Sequence, residues 1–73
     1  MKENIKERIS NLKKMNQAVI GLGDENLWET WIAVAVPDEP SDEDYEYIAK
    51  NETIYNDVVR IFAQIVLWYL KEE

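Results

Sequence analysis

The sequence predicts an all-α fold, a small antiparallel bundle of three main helices plus one short helix, dimerising through the C-terminal helix. Apolar residues recur at helical spacing near both ends of the chain. Glycine and proline fall at two places only, Gly21/Gly23 and Pro37/Pro40, and so divide the chain into helical segments. The one stretch that also reads as a strand, Trp31 to Val36, has no second strand to pair with, and an isolated strand leaves its amides unsatisfied.

The first helix is expected from about Lys2 to Ile20. Ile5, Ile9, Leu12, Asn16 and Val19 follow spacings of 4, 3, 4 and 3, and Met15 and Ala18 widen the stripe. Gly21 and Gly23 supply the stop, because glycine adopts the left-handed conformation that closes many helices. Asp24 then caps a second helix, Glu25 to Ala35, with Leu27, Trp28, Trp31, Ile32 and Ala35 on one face. Val36 to Pro40 is a turn, its two prolines fixing φ. Ser41, with Asp44 three residues on, approximates a capping box for a short third helix. In that helix Tyr45, Ile48 and Ala49 share a face, while Glu43, Glu46, Tyr47 and Lys50 look outward. Asn51 caps the last helix, Glu52 to about Lys71.

That last helix carries two apolar stripes. One is Ile54, Val58, Ile61, Ile65 and Trp68; the other is Tyr55, Val59, Phe62, Val66 and Tyr69. Leu67 and Leu70 extend apolar character nearly all the way round, and the polar edge is only Asp57, Arg60, Gln64 and Lys71. A helix this apolar is normally buried on several sides, and three short helices offer little to bury it. Ile65, Trp68 and Tyr69 are therefore expected to self-associate. Asn16 joins them, because a lone Asn in an apolar stripe can fix the register of a helical oligomer; the alternative is that it faces a solvated gap near the glycines.

Seventy-three residues make one domain. A chain of this size buries only about 60% of its unfolded surface, so oligomerisation is an expected supplement to the core. Cysteine and histidine are both absent, which excludes disulfides and soft-metal or imidazole sites. No stretch approaches the roughly 18 apolar residues of a membrane span, and the N-terminus is charged where a signal peptide is apolar; the expected location is cytoplasmic, with no membrane partner. The net charge is −7, unevenly placed: residues 1–20 come to +3, residues 21–49 to −9 with no base at all, and residues 50–73 to −1. Direct nucleic-acid binding needs a basic footprint and is not expected here.

Asp38, Glu39, Asp42, Glu43, Asp44 and Glu46 place six carboxylates in nine residues. Two readings stand. In one, the acids simply complement the dipole at a helix start. In the other, they form a surface that imitates a phosphate backbone and occupies a basic groove of a protein partner. A calcium loop fits poorly, lacking the mid-loop glycine and terminal glutamate of an EF-hand. Among the aromatics, Trp28, Trp31 and Phe62 are expected in the core. Tyr47 stands among Glu43, Glu46 and Lys50 and is the aromatic expected to make a partner contact.

Catalysis finds little support. General acid–base work would fall to carboxylates, lysines or tyrosines, and no spacing singles out a pair. Ser10, Ser41, Thr30 and Thr53 have no activating neighbour, and Gly21-Leu22-Gly23 is too short, and too close to acids, to cradle a phosphate. No cofactor and no metal is expected.

Val36-Pro37-Asp38-Glu39-Pro40, then Asp44-Tyr45-Glu46-Tyr47-Ile48-Ala49, then Ile54-Tyr55-Asn56-Asp57 running into Ile61-Phe62, resembles a pattern in small acidic proteins encoded by phages and prophages of Gram-positive bacteria. The resemblance covers about the last forty residues and rests on spacing and composition. It implies a mobile-element accessory protein, and such proteins include inhibitors of host defence or replication proteins, CRISPR nucleases among them. The expected function is non-enzymatic protein binding in an accessory or regulatory role. An acidic nucleic-acid mimic and a self-associating structural protein are the alternatives.

Overall fold

A computed structural model describes residues 4–34 and 36–71 as four helices: α1 (Ile5–Leu22), α2 (Glu25–Val34), α3 (Asp42–Lys50) and α4 (Glu52–Lys71). The all-α class is as expected, and Trp31 to Val34 is helical, which removes the strand alternative. The size pattern differs: lengths of 18, 10, 9 and 20 residues make two long and two short helices. The expected start at Lys2 and the expected end at Ala35 lie outside the described residues.

Each boundary has a local cause. Asn4 caps α1, its Oδ1 accepting from the Glu7 amide at 2.8 Å, a cap not expected from sequence. Gly21 does not stop the helix. Gly23 does, at φ +68°, donating its N–H to the Ile20 carbonyl at 3.2 Å. Asp24 Oδ1 then accepts from Asn26 N at 2.9 Å and Leu27 N at 3.3 Å, so two residues serve as stop and start. Ser41 and Asp44 form the reciprocal capping box of α3. Asn51 alone links α3 to α4: its N–H donates to the carbonyls of Tyr47 and Ile48, and its Oδ1 accepts from Ile54 N at 3.1 Å.

Side-chain pairings set the directions. Trp31 reaches Asn16, so α2 runs antiparallel to α1. Lys13 meets Asp42 while Arg8 meets Ala49, so α3 is antiparallel to α1 as well. Asn11 and Arg8 both meet Tyr55, and a groove between the two helices is lined by Met15 and Ala18 beside Val59 and Phe62. Thus α4 runs in the same direction as α1, and the bundle is not the simple alternation expected. The chain climbs back between Val34 and Asp42 before α3 descends. This return segment is no mere turn, because Val36 is fully buried and its N–H donates to the Trp31 carbonyl at 3.3 Å.

The core is Leu12, Met15 and Val19 of α1, Leu27 and Trp31 of α2, Val36 of the return segment, Tyr45, Ile48 and Ala49 of α3, and Tyr55, Val58 and Ile65 of α4. Phe62 packs edge-on to Trp31, ring centroids 6.0 Å apart. Trp28 and Phe62 are half-buried rather than enclosed. The body measures 34 × 28 × 17 Å, and α4 packs against α1, α2 and α3. No helix of the described residues is long and apolar enough to cross a membrane.

Candidate functional site

Asn16 is at the centre of the bundle, 3% exposed. Its Oδ1 accepts from Trp31 Nε1 at 2.8 Å and its Nδ2 donates to the Tyr45 hydroxyl at 3.2 Å. One amide therefore ties α1 to both α2 and α3. This corrects the expectation of a self-association residue: both of its functional ends are used inside the subunit. Ile65 requires the same correction, since it is fully buried in the core and has no surface to offer another chain. Trp68 and Tyr69 are exposed.

The reason lies in the register of α4. Tyr55 stands beside Asn11, and at the common rise per residue this brings Leu22, the last residue of α1, level with Val66. The turn from Leu67 to Lys71 runs past the end of α1. Leu67 and Leu70 are each 58% exposed and Trp68 45%, so the end of α4 is apolar on several sides and open.

The six clustered carboxylates divide into two groups. Asp44 is half-buried, its Oδ2 accepting from Ser41 N at 2.9 Å and Ser41 Oγ at 3.0 Å. Glu46 pairs with Lys50 at 2.7 Å. These two do local helix chemistry and are poor candidates for partner contact. Asp42 meets Lys13 at 3.4 Å, but its side chain is 94% exposed, and such a surface pair contributes at most about 1 kcal/mol. Asp38, Glu39 and Glu43 are exposed and make no ion pair among the described residues. The lysines of α1 therefore leave most of this charge unneutralised.

Tyr47 sits one turn along α3 from Glu43 and is 65% exposed. It borders a shallow groove of about 350 Å³ lined also by Val34, Pro37, Ile48 and Ile54. Val34, 56% exposed, is a part of this surface that sequence does not indicate. The return segment brings the end of α2 beside α3, and the carboxylate that lines this groove with Tyr47 is Asp44.

Arg8 is the other residue that sequence reasoning misses. Its guanidinium donates to the Ala49 carbonyl at 3.0 Å, near the electronegative end of α3, and its Cζ lies 4.9 Å from the Tyr55 ring centroid. It is a clamp between α1, α3 and α4 rather than a surface charge. Among the described residues no group of three acidic side chains is placed to hold a metal ion. No family model matches the chain, and neither a curated protein nor a solved structure matches it.

Proposed function

We propose that this chain is a non-enzymatic accessory or regulatory protein that binds a basic surface of a protein partner. The observation that carries the reading is that Asp38, Glu39, Asp42 and Glu43 stand in solvent, as does the ring of Tyr47 on the same short helix as the last two. Carboxylates held out from a loop and a first helical turn steer a basic partner at long range, and a tyrosine over an apolar groove supplies contact area once the two have met. The sharper form of the proposal is an inhibitor that occupies the nucleic-acid groove of a host defence or replication protein. The cytoplasmic, mobile-element setting implied by the sequence resemblance belongs to this form.

The test is capture from a bacterial lysate on the immobilised chain, compared with a variant carrying Asp38→Asn, Glu39→Gln, Asp42→Asn and Glu43→Gln. Asp44 stays, because it caps α3. The reading expects a retained protein that is released steeply by salt, is lost on the variant, and is displaced by nucleic acid. Retention indifferent to salt and to the four substitutions would refute it.

A second reading, self-association through the C-terminal helix, is favoured by the open end of α4. The two are compatible, because the acidic ridge and the end of α4 are separate surfaces.

A further inference from the structure

We infer that the corner between α1 and α2 is a binding site for a small organic cation, an ammonium group carried on an apolar body. The site shares no residue with the partner-binding surface proposed above, and the inference does not rest on that reading. Val19 and Ile20 from the last turn of α1, Gly23 from the bend, and Asp24, Glu25 and Trp28 from the start of α2 line a cleft of about 560 Å³. That volume lies within the roughly 300–1,000 Å³ of small-ligand sites. The groove beside Tyr47 is smaller, at about 350 Å³.

Local sequence builds the corner. Asp24 and Glu25 precede Trp28 by 4 and 3 residues, so the three share one face at the start of α2. Gly23, at φ +68°, ends α1 and turns the chain, and both helices contribute walls to the same cleft. A Cβ at Gly23 would meet nothing within 4 Å, so the bend leaves the cleft open. Ile20 is exposed and Trp28 half-buried, which keeps an apolar wall and an indole within reach of a ligand.

Charge complementarity selects the occupant. Asp24 offers only Oδ1 to the α2 amides, at 2.9 Å from Asn26 N and 3.3 Å from Leu27 N. Among the described residues no donor meets its Oδ2, and Glu25 makes no ion pair. No base lines the cleft, and none occurs between residues 21 and 49. The charge here is unanswered, and the net −7 of the chain adds to the attraction for a cation. Trp is also the side chain whose ring face attracts a cation most strongly. Val19 and Ile20 reward an apolar body, which a hydrated inorganic ion lacks.

Other ligand classes fit worse. Both carboxylates repel an anion, and two of the amides that would hold one at a helix start already donate to Asp24. A metal ion finds no group of three acidic side chains among the described residues. An uncharged apolar molecule would strip water from the carboxylates and return nothing to them.

The test is a titration of the isotope-labelled chain with phenethylamine, followed by nuclear magnetic resonance through its three indole N–H signals and its backbone amides. Two probes of similar shape serve as controls, neutral 2-phenylethanol and anionic 3-phenylpropionate. The site predicts saturable shifts at the Trp28 indole and at the amides of Gly23 and Glu25, with an affinity on the order of a millimolar for so small a probe. The alcohol should bind at least about fivefold more weakly and the carboxylate more weakly still. Glu25→Gln, at an exposed position that leaves the fold alone, should weaken the amine about threefold without affecting the alcohol. Trp28→Leu should abolish saturation while circular dichroism shows the helices intact. Absence of saturable shifts overturns the inference, as do shifts centred on residues 38–43. Alcohol and amine binding equally would leave only an apolar cleft and refute the cation. A blocked lysine amide binding as tightly as phenethylamine would refute the small-molecule site and assign the cleft to a basic side chain of a protein.

Discussion

Asn16 offers the most direct test of how this small core is held together. In Asn16→Leu the side chain keeps a similar volume and loses both hydrogen bonds. The indole Nε1–H of Trp31, on a fully buried residue, is left without an acceptor, which costs about 1–3 kcal/mol. The Tyr45 hydroxyl loses a donor at 3.2 Å, adding about 1 kcal/mol. The expected loss of about 2–4 kcal/mol is a large part of the roughly 4–11 kcal/mol that a chain of this length holds. At about 4–8 °C per kcal/mol, it lowers the thermal midpoint by about 8–30 °C, read by circular dichroism. A double-mutant cycle with Tyr45→Phe sharpens the test. Removing the hydroxyl should cost about 1 kcal/mol in the parent chain and close to nothing in the Asn16→Leu background, since there it is already unpaired. An Asn16→Leu chain that melts where the parent does, with an altered association state, would refute the internal role and restore Asn16 as a register residue between chains.

The two glycines should respond in opposite directions. Gly21→Ala, inside α1 with open space around its Cβ, should stabilise by about 0.5–1 kcal/mol, whereas Gly23→Ala, at φ +68°, should destabilise by about 1 kcal/mol; paired denaturant melts measure both. Arg8→Met should cost about 1–3 kcal/mol through the lost bond to Ala49 and the lost stack on Tyr55, and Arg8→Lys should recover only part of it, because an ammonium cannot both lie on the ring and reach the carbonyl. Urea titrations of the three chains measure this ranking.

Helix identity is legible in the sequence because its causes are local. The Asp24, Ser41 and Asn51 caps are read from side chains within three residues of the amides they serve, and the apolar stripes state which face turns inward. Helix direction is not legible, because nothing within a helix records which neighbour it meets. The parallel course of α1 and α4 depends on the return segment between α2 and α3, where Val36, a residue that reads from sequence as part of a turn, is fully buried. Asn16 misleads for the same reason. From sequence, a polar residue in an apolar stripe has no visible partner, and both of its partners come from other helices, 15 and 29 residues away.

The candidate surfaces follow the same division between local and distant causes. That the acids stand in solvent is legible from the lack of any base between residues 21 and 49. Which of them remain available is legible only in part: the Ser41–Asp44 capping box reads from the sequence, whereas Glu46 and Lys50 read there only as two outward-facing residues and not as a pair. The excess of apolar surface on α4 is also legible, but its position is not. Two stripes lie side by side on that helix, and each is buried only in part: Val58 and Ile65 of one and Tyr55 of the other are in the core, while Trp68 and Tyr69 at their ends are exposed. A reversed α4 would set its other end against the close of α1 and its terminal Leu67–Leu70 turn against the opening of that helix. The same sequence would then present a different surface to a partner. The return segment between α2 and α3 thus bears on both surfaces: it carries Asp38 and Glu39 out to solvent, and it sets the direction in which α4 leaves its last turn uncovered.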